Sequence, residues 1–259
     1  MLTAAAVCPH PPLLIPSVTG GSTGTGDAGL TELRDACHVA VSALLATSPD
    51  LLVVVGAGPA TCEFAPDTAG SLADFGVPFK TGDGDPVLPL SLTVAHWLLA
   101  RATRPATAGV HPAVAARLHS VDSAARPADC LALGAELSAQ APRVAILAMG
   151  DGPGRRARNA PGAIDGAADR YDELVAKALA TGDLPVLAGL DPAAADVLFV
   201  AGRAAWQVLA GAASPGIEYA STLHYAAAPF EVSYYVSSLV LERFMITKHF
   251  GPYSSQNVS

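Results

Sequence analysis

The sequence has no apolar run close to the length of a membrane-spanning helix, and it has no excess of positive charge. A spanning helix needs about 18 or more consecutive apolar residues, and the N-terminus also lacks a basic region followed by an apolar segment and a cleavage site. The net charge is −8, and lysine and arginine are scattered rather than clustered. This excludes the basic surface that nucleic-acid binding requires. We therefore expect a cytoplasmic protein with neither a membrane nor a nucleic-acid partner.

Paired cysteines are also missing. Cys8, Cys37, Cys62 and Cys130 are widely spaced and form no Cys-x-x-Cys pair. This spacing favours neither a zinc site nor a disulfide framework. We expect free thiols, most of them buried.

Two common catalytic or cofactor motifs are absent. There is no Gly-x-Ser-x-Gly motif for a nucleophilic serine, and Ser120 and Ser123 are only sequence neighbours of His119. The Gly-Ala-Gly-Pro stretch at 56–59 lacks the third glycine of a dinucleotide-binding loop, and proline interrupts it. The sequence thus indicates neither a serine hydrolase nor a nicotinamide enzyme.

What the chain does have is apolar residues: 51% of its 259 residues are hydrophobic and 15% are charged. A chain of this length and composition can bury a large core. We expect one domain over residues 1–249 and a flexible tail over residues 250–259.

The stretch at 4–14 is an apolar strand that runs into His10, which is enclosed by Pro9, Pro11 and Pro12. Prolines cannot donate to a sheet ladder, so they end the strand and place His10 at its carboxyl end. At such an edge an imidazole can bind a metal ion. The alternative is a histidine that only hydrogen-bonds a loop carbonyl.

Apolar runs alternate with helical patterns along the rest of the chain. Strands are predicted at Leu2–Val7, Leu51–Val55 and Val144–Met149, and Ile217–Ala226 and Glu231–Leu239 form a later pair. Helices are predicted at 30–46, 91–102, 127–140, 166–180 and, as one long helix, at 192–212. This order predicts an α/β protein with three α/β/α layers and a mainly parallel central sheet.

Polar residues follow several of these strands. Asp151, Arg155 and Arg156 come after the strand at 144–149, and His224 and Glu231 lie near the turn between the last two strands. If these groups converge with His10, they suit a metal centre or an anionic small molecule. Taken singly, Asp151 could cap its own turn and the arginines could be solvated.

Residues 8–16, Cys-Pro-His-Pro-Pro-Leu-Leu-Ile-Pro, resemble the class III extradiol ring-cleavage dioxygenase superfamily, the catalytic-subunit-B-like group related to Memo-like proteins. Looser similarities follow at 51–59, 74–78, 87–90, 149–152 and 225–234. The resemblance implies an oxidoreductase that holds Fe(II) with two histidines and a glutamate and opens catecholic rings.

Only the first ligand of that family matches. His10 stands at the first histidine, but glycine stands at the second, and Ala226 or Ala227 stands at the glutamate. The acid–base histidines are also replaced, one of them by Gly152-Pro153-Gly154 before Arg155. His224 and Glu231 are the nearest replacement ligands, and Asp151 and Arg155 are the candidate catalytic residues.

The resemblance therefore implies a diverged member without ordinary extradiol activity, in which the Fe(II) site is not retained. The alternative is a catalytically silent relative that binds a small aromatic or anionic ligand, or a protein, in the same cleft. The apolar composition and the Tyr234-Tyr235-Val236 segment suggest a homo-oligomer.

Overall fold

The computed structural model describes residues 1–19, 28–102, 115–154 and 166–242. Two of the sequence predictions concern residues outside these ranges. Arg155 and Arg156 lie outside the described residues, and so does the tail predicted at 250–259.

A seven-stranded sheet forms the centre of the protein, and its spatial order is β3-β6-β2-β7-β1-β9-β8. The four strands β6, β2, β7 and β1 run parallel to one another, whereas β3, β9 and β8 join the sheet through antiparallel pairs. The predicted sheet is confirmed. The strands are β1 (Leu2–Cys8), β2 (Leu51–Gly58), β3 (Cys62–Phe64), β6 (Ala115–Asp122), β7 (Val144–Met149), β8 (Tyr219–Ala227) and β9 (Tyr234–Leu241).

A second, two-stranded sheet consists of β4 (Gly70–Ser71) and β5 (Lys80–Thr81). The sequence did not indicate these short strands or β3, and it left residues 114–121, where β6 lies, ambiguous between strand and helix. Elements of two or three residues are too short to carry a periodic pattern.

Helices cover both faces of the large sheet, as predicted for three layers. Because β1 and β7 are buried on both sides, they read as continuous apolar runs. One face, here called the α1 face, carries α1 (Ala28–Ala46) and α2 (Leu90–Ala102). The other, the α7 face, carries α3 (Pro127–Ala139), α4 (Ala167–Thr181), α5 (Leu184–Ala188), α6 (Pro192–Val197) and α7 (Arg203–Ala212).

The prediction of a single long helix at 192–212 is wrong, because two helices occupy this range. The chain leaves the helical conformation after α6, Phe199 adopts a left-handed φ of 56°, and α7 begins after Gly202. A Cβ at Gly202 would lie 2.2 Å from the Trp206 ring, so only glycine fits at this junction. The apolar spacing continues across the break because both helices bury residues against the same face of the sheet.

Two hydrophobic clusters lie on the two faces, and each draws residues from both halves of the described chain. The single domain of residues 1–249 stays a prediction. No helix in the described ranges has the length and apolar character to cross a membrane, and the cytoplasmic location stays a prediction as well.

The segment at 234–236, which suggested self-association, is not exposed on the surface of the protein. Tyr234, Tyr235 and Val236 are all buried within β9, between β1 and β8. The homo-oligomer therefore has no support from this segment and stays a prediction.

Candidate functional site

His10 lies just beyond the carboxyl end of β1, as the prolines around it predicted. It is buried, with 7% of its surface exposed. After it, Pro12–Leu14 form one turn of 3-10 helix. The proline-rich sequence thus turns the chain sharply and leaves the imidazole at the edge of the sheet.

Asp151 follows the neighbouring strand β7 and meets His10 at this edge. Its Oδ1 accepts the backbone N–H of His10 at 2.8 Å. The same oxygen lies 3.6 Å from Nδ1 of the His10 ring, which is too far for a hydrogen bond. Nδ1 is buried and has no hydrogen-bond partner. The two predicted site residues are therefore adjacent, with the carboxylate facing one side of the imidazole.

Main-chain hydrogen bonds hold the loop that carries Asp151 on three sides. Gly150 N–H donates to Cys8 O at 2.9 Å, and Gly152 N–H donates to Ser233 O at 2.7 Å. The carbonyl of Asp151 accepts the N–H of Gly202 at 2.9 Å. This loop, called the Asp151 loop below, is thereby connected to β1, to the start of β9 and to the start of α7.

The connections of the chain make this edge a topological switch point. The chain leaves β1 for α1 on one face of the sheet, and it leaves β7 for α4 on the opposite face. Two adjacent parallel strands whose connections diverge in this way leave a crevice at their carboxyl ends, where α/β proteins bind ligands. His10 and Asp151 are the residues that follow these two strands.

Two buried groups on the α1 face, Tyr234 and Cys37, lie near Asp151. Burial raises the pKa of Tyr234, and the nearby Asp151 carboxylate adds to this shift. Burial likewise raises the pKa of Cys37, with further contributions from the Cys8 thiol and from Asp151. These groups therefore stay neutral at neutral pH and add no charge near the carboxylate.

Sequence reasoning missed Tyr234 and Cys37 as neighbours of the site. Tyr234 begins an antiparallel strand far along the chain from Asp151, and Cys37 belongs to the apolar stripe of α1. Strand alternation could have put Cys8 on the His10 side. Nothing local in the sequence indicates that Tyr234 reaches the same edge.

The replacement ligands do not join His10. The imidazole of His224 pairs with Ser238 at 2.8 Å between Nε2 and Oγ, and β8 lies two strands from β1, about 10 Å across the sheet. Burial lowers the pKa of His224. Glu231 is exposed in the turn before β9, with a left-handed φ of 60°.

The described residues do not fit an Fe(II) site of the family type. Such a site needs three converging side chains, and within the described ranges no three His, Cys, Asp or Glu side chains come close enough to hold a metal ion. His10 and Asp151 supply two donors at most. The alternative predicted for His10, a hydrogen bond from its ring to a loop carbonyl, is also not observed for Nδ1.

Comparison with known proteins adds little to this geometry. No protein-family model matches the chain, and neither does any curated protein. Among solved structures, the uncharacterized protein JW3007 from Escherichia coli K12 is similar over 92% of this chain and 99% of its own, with a TM-score of 0.48 and 15% sequence identity.

Proposed function

We propose that the protein is a diverged member of the class III extradiol dioxygenase superfamily that binds a small phenolic ligand in the crevice at His10 and Asp151, without ordinary Fe(II)-dependent ring opening. The observation that carries this proposal is the position of the two residues, side by side at a switch point between β1 and β7.

The charge at the crevice favours a phenol over an anion. Within the described ranges no lysine or arginine pairs with the Asp151 carboxyl group, which lies 3.6 Å from the His10 ring. A phenolic hydroxyl can donate a hydrogen bond to that carboxylate or to an imidazole nitrogen, whereas a second anion would be repelled. Tyr234 and Cys37, buried near Asp151, are neutral and add no positive charge that would favour an anion.

The unpartnered Nδ1 supports the same interpretation. Hydrogen bonds at binding sites are often long in the free protein and tighten in the complex. A ligand that bonds Nε2, on the other side of the His10 ring, could turn the ring and bring Nδ1 within bonding range of Asp151. Binding would then satisfy a buried polar atom that has no partner in the free protein.

The proposal is tested by measuring metal content, oxygen uptake and catechol binding on the same purified protein. We expect no stoichiometric Fe(II), no catechol-dependent oxygen uptake, and catechol binding that falls at least about tenfold in His10→Ala. His38→Ala is the matched control, because His38 is a histidine on the exposed side of α1.

Stoichiometric iron that disappears in His10→Ala together with oxygen uptake would show a working dioxygenase and overturn the proposal. Catechol binding that is equal in His10→Ala and His38→Ala would place the ligand elsewhere.

A further inference from the structure

A second cleft opens on the α7 face, beyond the carboxyl end of β6. It has a volume of about 630 Å³, within the range of about 300–1,000 Å³ that is usual for small-molecule sites. The turn after β6 forms one wall, and α6 with the segment that leads into α7 forms the other. Nothing in the proposed function uses this cleft.

The lining of the cleft is mostly apolar. Val200 and Ala195 are buried along it, and Phe199 lies beside them with 59% of its surface exposed. Phe199 also has the left-handed φ of 56° that breaks α6 from α7. Such a conformation is costly for a bulky side chain and is concentrated at functional sites. An aromatic ring is thus held at the cleft although the local backbone disfavours it.

The positively charged residue of the lining is Arg203, which is 2% exposed. Its guanidinium donates to the carbonyl of Ala125 at 2.6 Å, to Gln207 Oε1 at 2.9 Å, and to the carbonyl of Ser123 in a short contact. All three acceptors are uncharged. The Cys130 thiol, whose pKa burial raises, also lies beside this guanidinium. Within the described ranges no carboxylate pairs with Arg203, so neutral groups alone surround the buried positive charge.

We propose that this cleft binds a small monocarboxylic acid with an apolar body, with its carboxylate towards Arg203 and its body against Val200 and Phe199. The guanidinium charge attracts a carboxylate. Both Nη1 protons already bond Ala125 O and Gln207 Oε1, so the ligand meets this charge without a bidentate pair. Asp196 also lines the cleft, in an exposed position, and it repels a ligand of higher negative charge. The negative charge of Asp196 therefore makes a monoanion a better ligand than a phosphate.

The first test compares phenylacetate with the uncharged phenylacetamide, which has nearly the same shape. Both are titrated at up to millimolar concentration while the backbone amides of Ser123, Ala124 and Ala201 are followed by NMR. We expect phenylacetate to shift these amides and the amide analogue to bind at least about tenfold more weakly. Equal affinities, no binding of the acid, or shifts centred on His10 instead would each overturn the proposal.

The second test fills the cleft without disturbing the buried guanidinium. Ala193→Trp adds a large side chain at an exposed lining position, and Ala180→Trp makes the same change at an exposed position of α4 outside the lining. Only Ala193→Trp should abolish phenylacetate binding. If both variants bind phenylacetate with equal affinity, the ligand does not occupy this cleft.

Asp196→Asn tests whether the charge of Asp196 weakens the binding of an anion. Asp196 is exposed, so the substitution should have little effect on folding. Removing this carboxylate should tighten phenylacetate binding about two- to fivefold at low salt, and added salt should reduce the difference. Weaker binding in Asp196→Asn would mean that Asp196 contributes to the ligand site and that the acid is not held as proposed. Arg203→Lys is less informative because a buried guanidinium with three acceptors also stabilises the fold.

Discussion

Oδ1 of Asp151 lies 2.8 Å from the backbone nitrogen of His10 and 3.6 Å from Nδ1 of the same residue. One carboxylate oxygen therefore fixes the main chain of His10 but does not yet bond its ring. The two residues are far apart in sequence and meet because β1 and β7 are adjacent and parallel. The relationship predicts different effects for different substitutions of Asp151.

Asp151→Ala should lower the free energy of unfolding by about 1–3 kcal/mol, because it leaves a buried N–H without its acceptor. Asp151→Asn retains an oxygen acceptor and should cost about 1 kcal/mol less than the alanine variant. Urea unfolding with an unchanged m-value measures both. Asp85→Ala, at an exposed loop carboxylate, is the control and should change stability by less than about 0.5 kcal/mol. Equal losses in Asp151→Asn and Asp151→Ala would contradict the role assigned to the oxygen.

Gly134→Ala should be strongly destabilising, because α3 and α7 touch through their backbones. An added Cβ at Gly134 would lie 2.0 Å from the carbonyl oxygen of Val208. The two helices would have to separate, at a cost of about 1–3 kcal/mol or more. Gly189→Ala is the matched control, since its Cβ would meet no atom closer than 3.6 Å. Thermal unfolding of the two variants should differ by several degrees, and equal melting temperatures would show that the helices can adjust.

Stability should decrease as the pH falls below about 6.5, partly because of His119. Burial lowers the pKa of His119, Arg117 lowers it further, and Glu63 and Glu136 act in the opposite direction. A histidine whose folded pKa lies below its unfolded pKa binds protons preferentially in the unfolded state. The stability that depends on neutral His119 is therefore fully present above about pH 6.5. It is lost as the pH falls from about 6.5 through the lower pKa of the folded state, with a slope of at most about 1.4 kcal/mol per pH unit.

Urea unfolding at several pH values between about 7.5 and 5.5 measures this slope. His119→Gln should flatten it, whereas His38→Gln, at an exposed position of α1, should leave it unchanged. Burial also lowers the pKa of His96 and of His224, so part of the slope should remain in His119→Gln. An identical slope in wild type and His119→Gln would rule out this contribution.

Phe199→Gly should separate stability from ligand binding. Glycine adopts a positive φ without strain, but it also raises the conformational entropy of the unfolded chain. The net effect should make Phe199→Gly between about 0 and 1 kcal/mol more stable than the wild type. Ser48 has a similar φ of 50° at the end of α1, so Ser48→Gly should show the same change. Phenylacetate binding should weaken in Phe199→Gly alone, and unchanged binding there would mean that the ring does not contact the ligand.

Much of the fold is readable from the sequence where an element is long and apolar. The predicted bounds of Val144–Met149 are those of β7, because a fully buried strand is a continuous apolar run between polar breaks. The break between α6 and α7 was missed because the apolar pattern also continues where the helix is interrupted. Both helices are apolar on the sheet side, and the interruption depends on the backbone conformation at Phe199 and on the space at Gly202.

The site divides in a similar way. That His10 and Asp151 meet follows from strand ends that share one edge, which local patterns reveal. The proximity of Tyr234 and Cys37 to Asp151 depends on long-range register and on the face that each residue takes. Neither of these is a local property. The failure of His224 to join the site has the same origin. His224 lies at the register shift between Leu223 and Tyr225, its ring bonds the Ser238 side chain, and β8 is two strands away from β1.

The three main-chain bonds that hold the Asp151 loop have a consequence for binding thermodynamics. Because Gly150, Gly152 and Gly202 donate to neighbouring strands and loops in the free protein, the entropy of ordering this loop is lost during folding and not during association. A ligand at His10 should then bind with little change in heat capacity beyond the surface it covers. The amides of these glycines should exchange with solvent slowly, at rates governed by opening of the sheet itself.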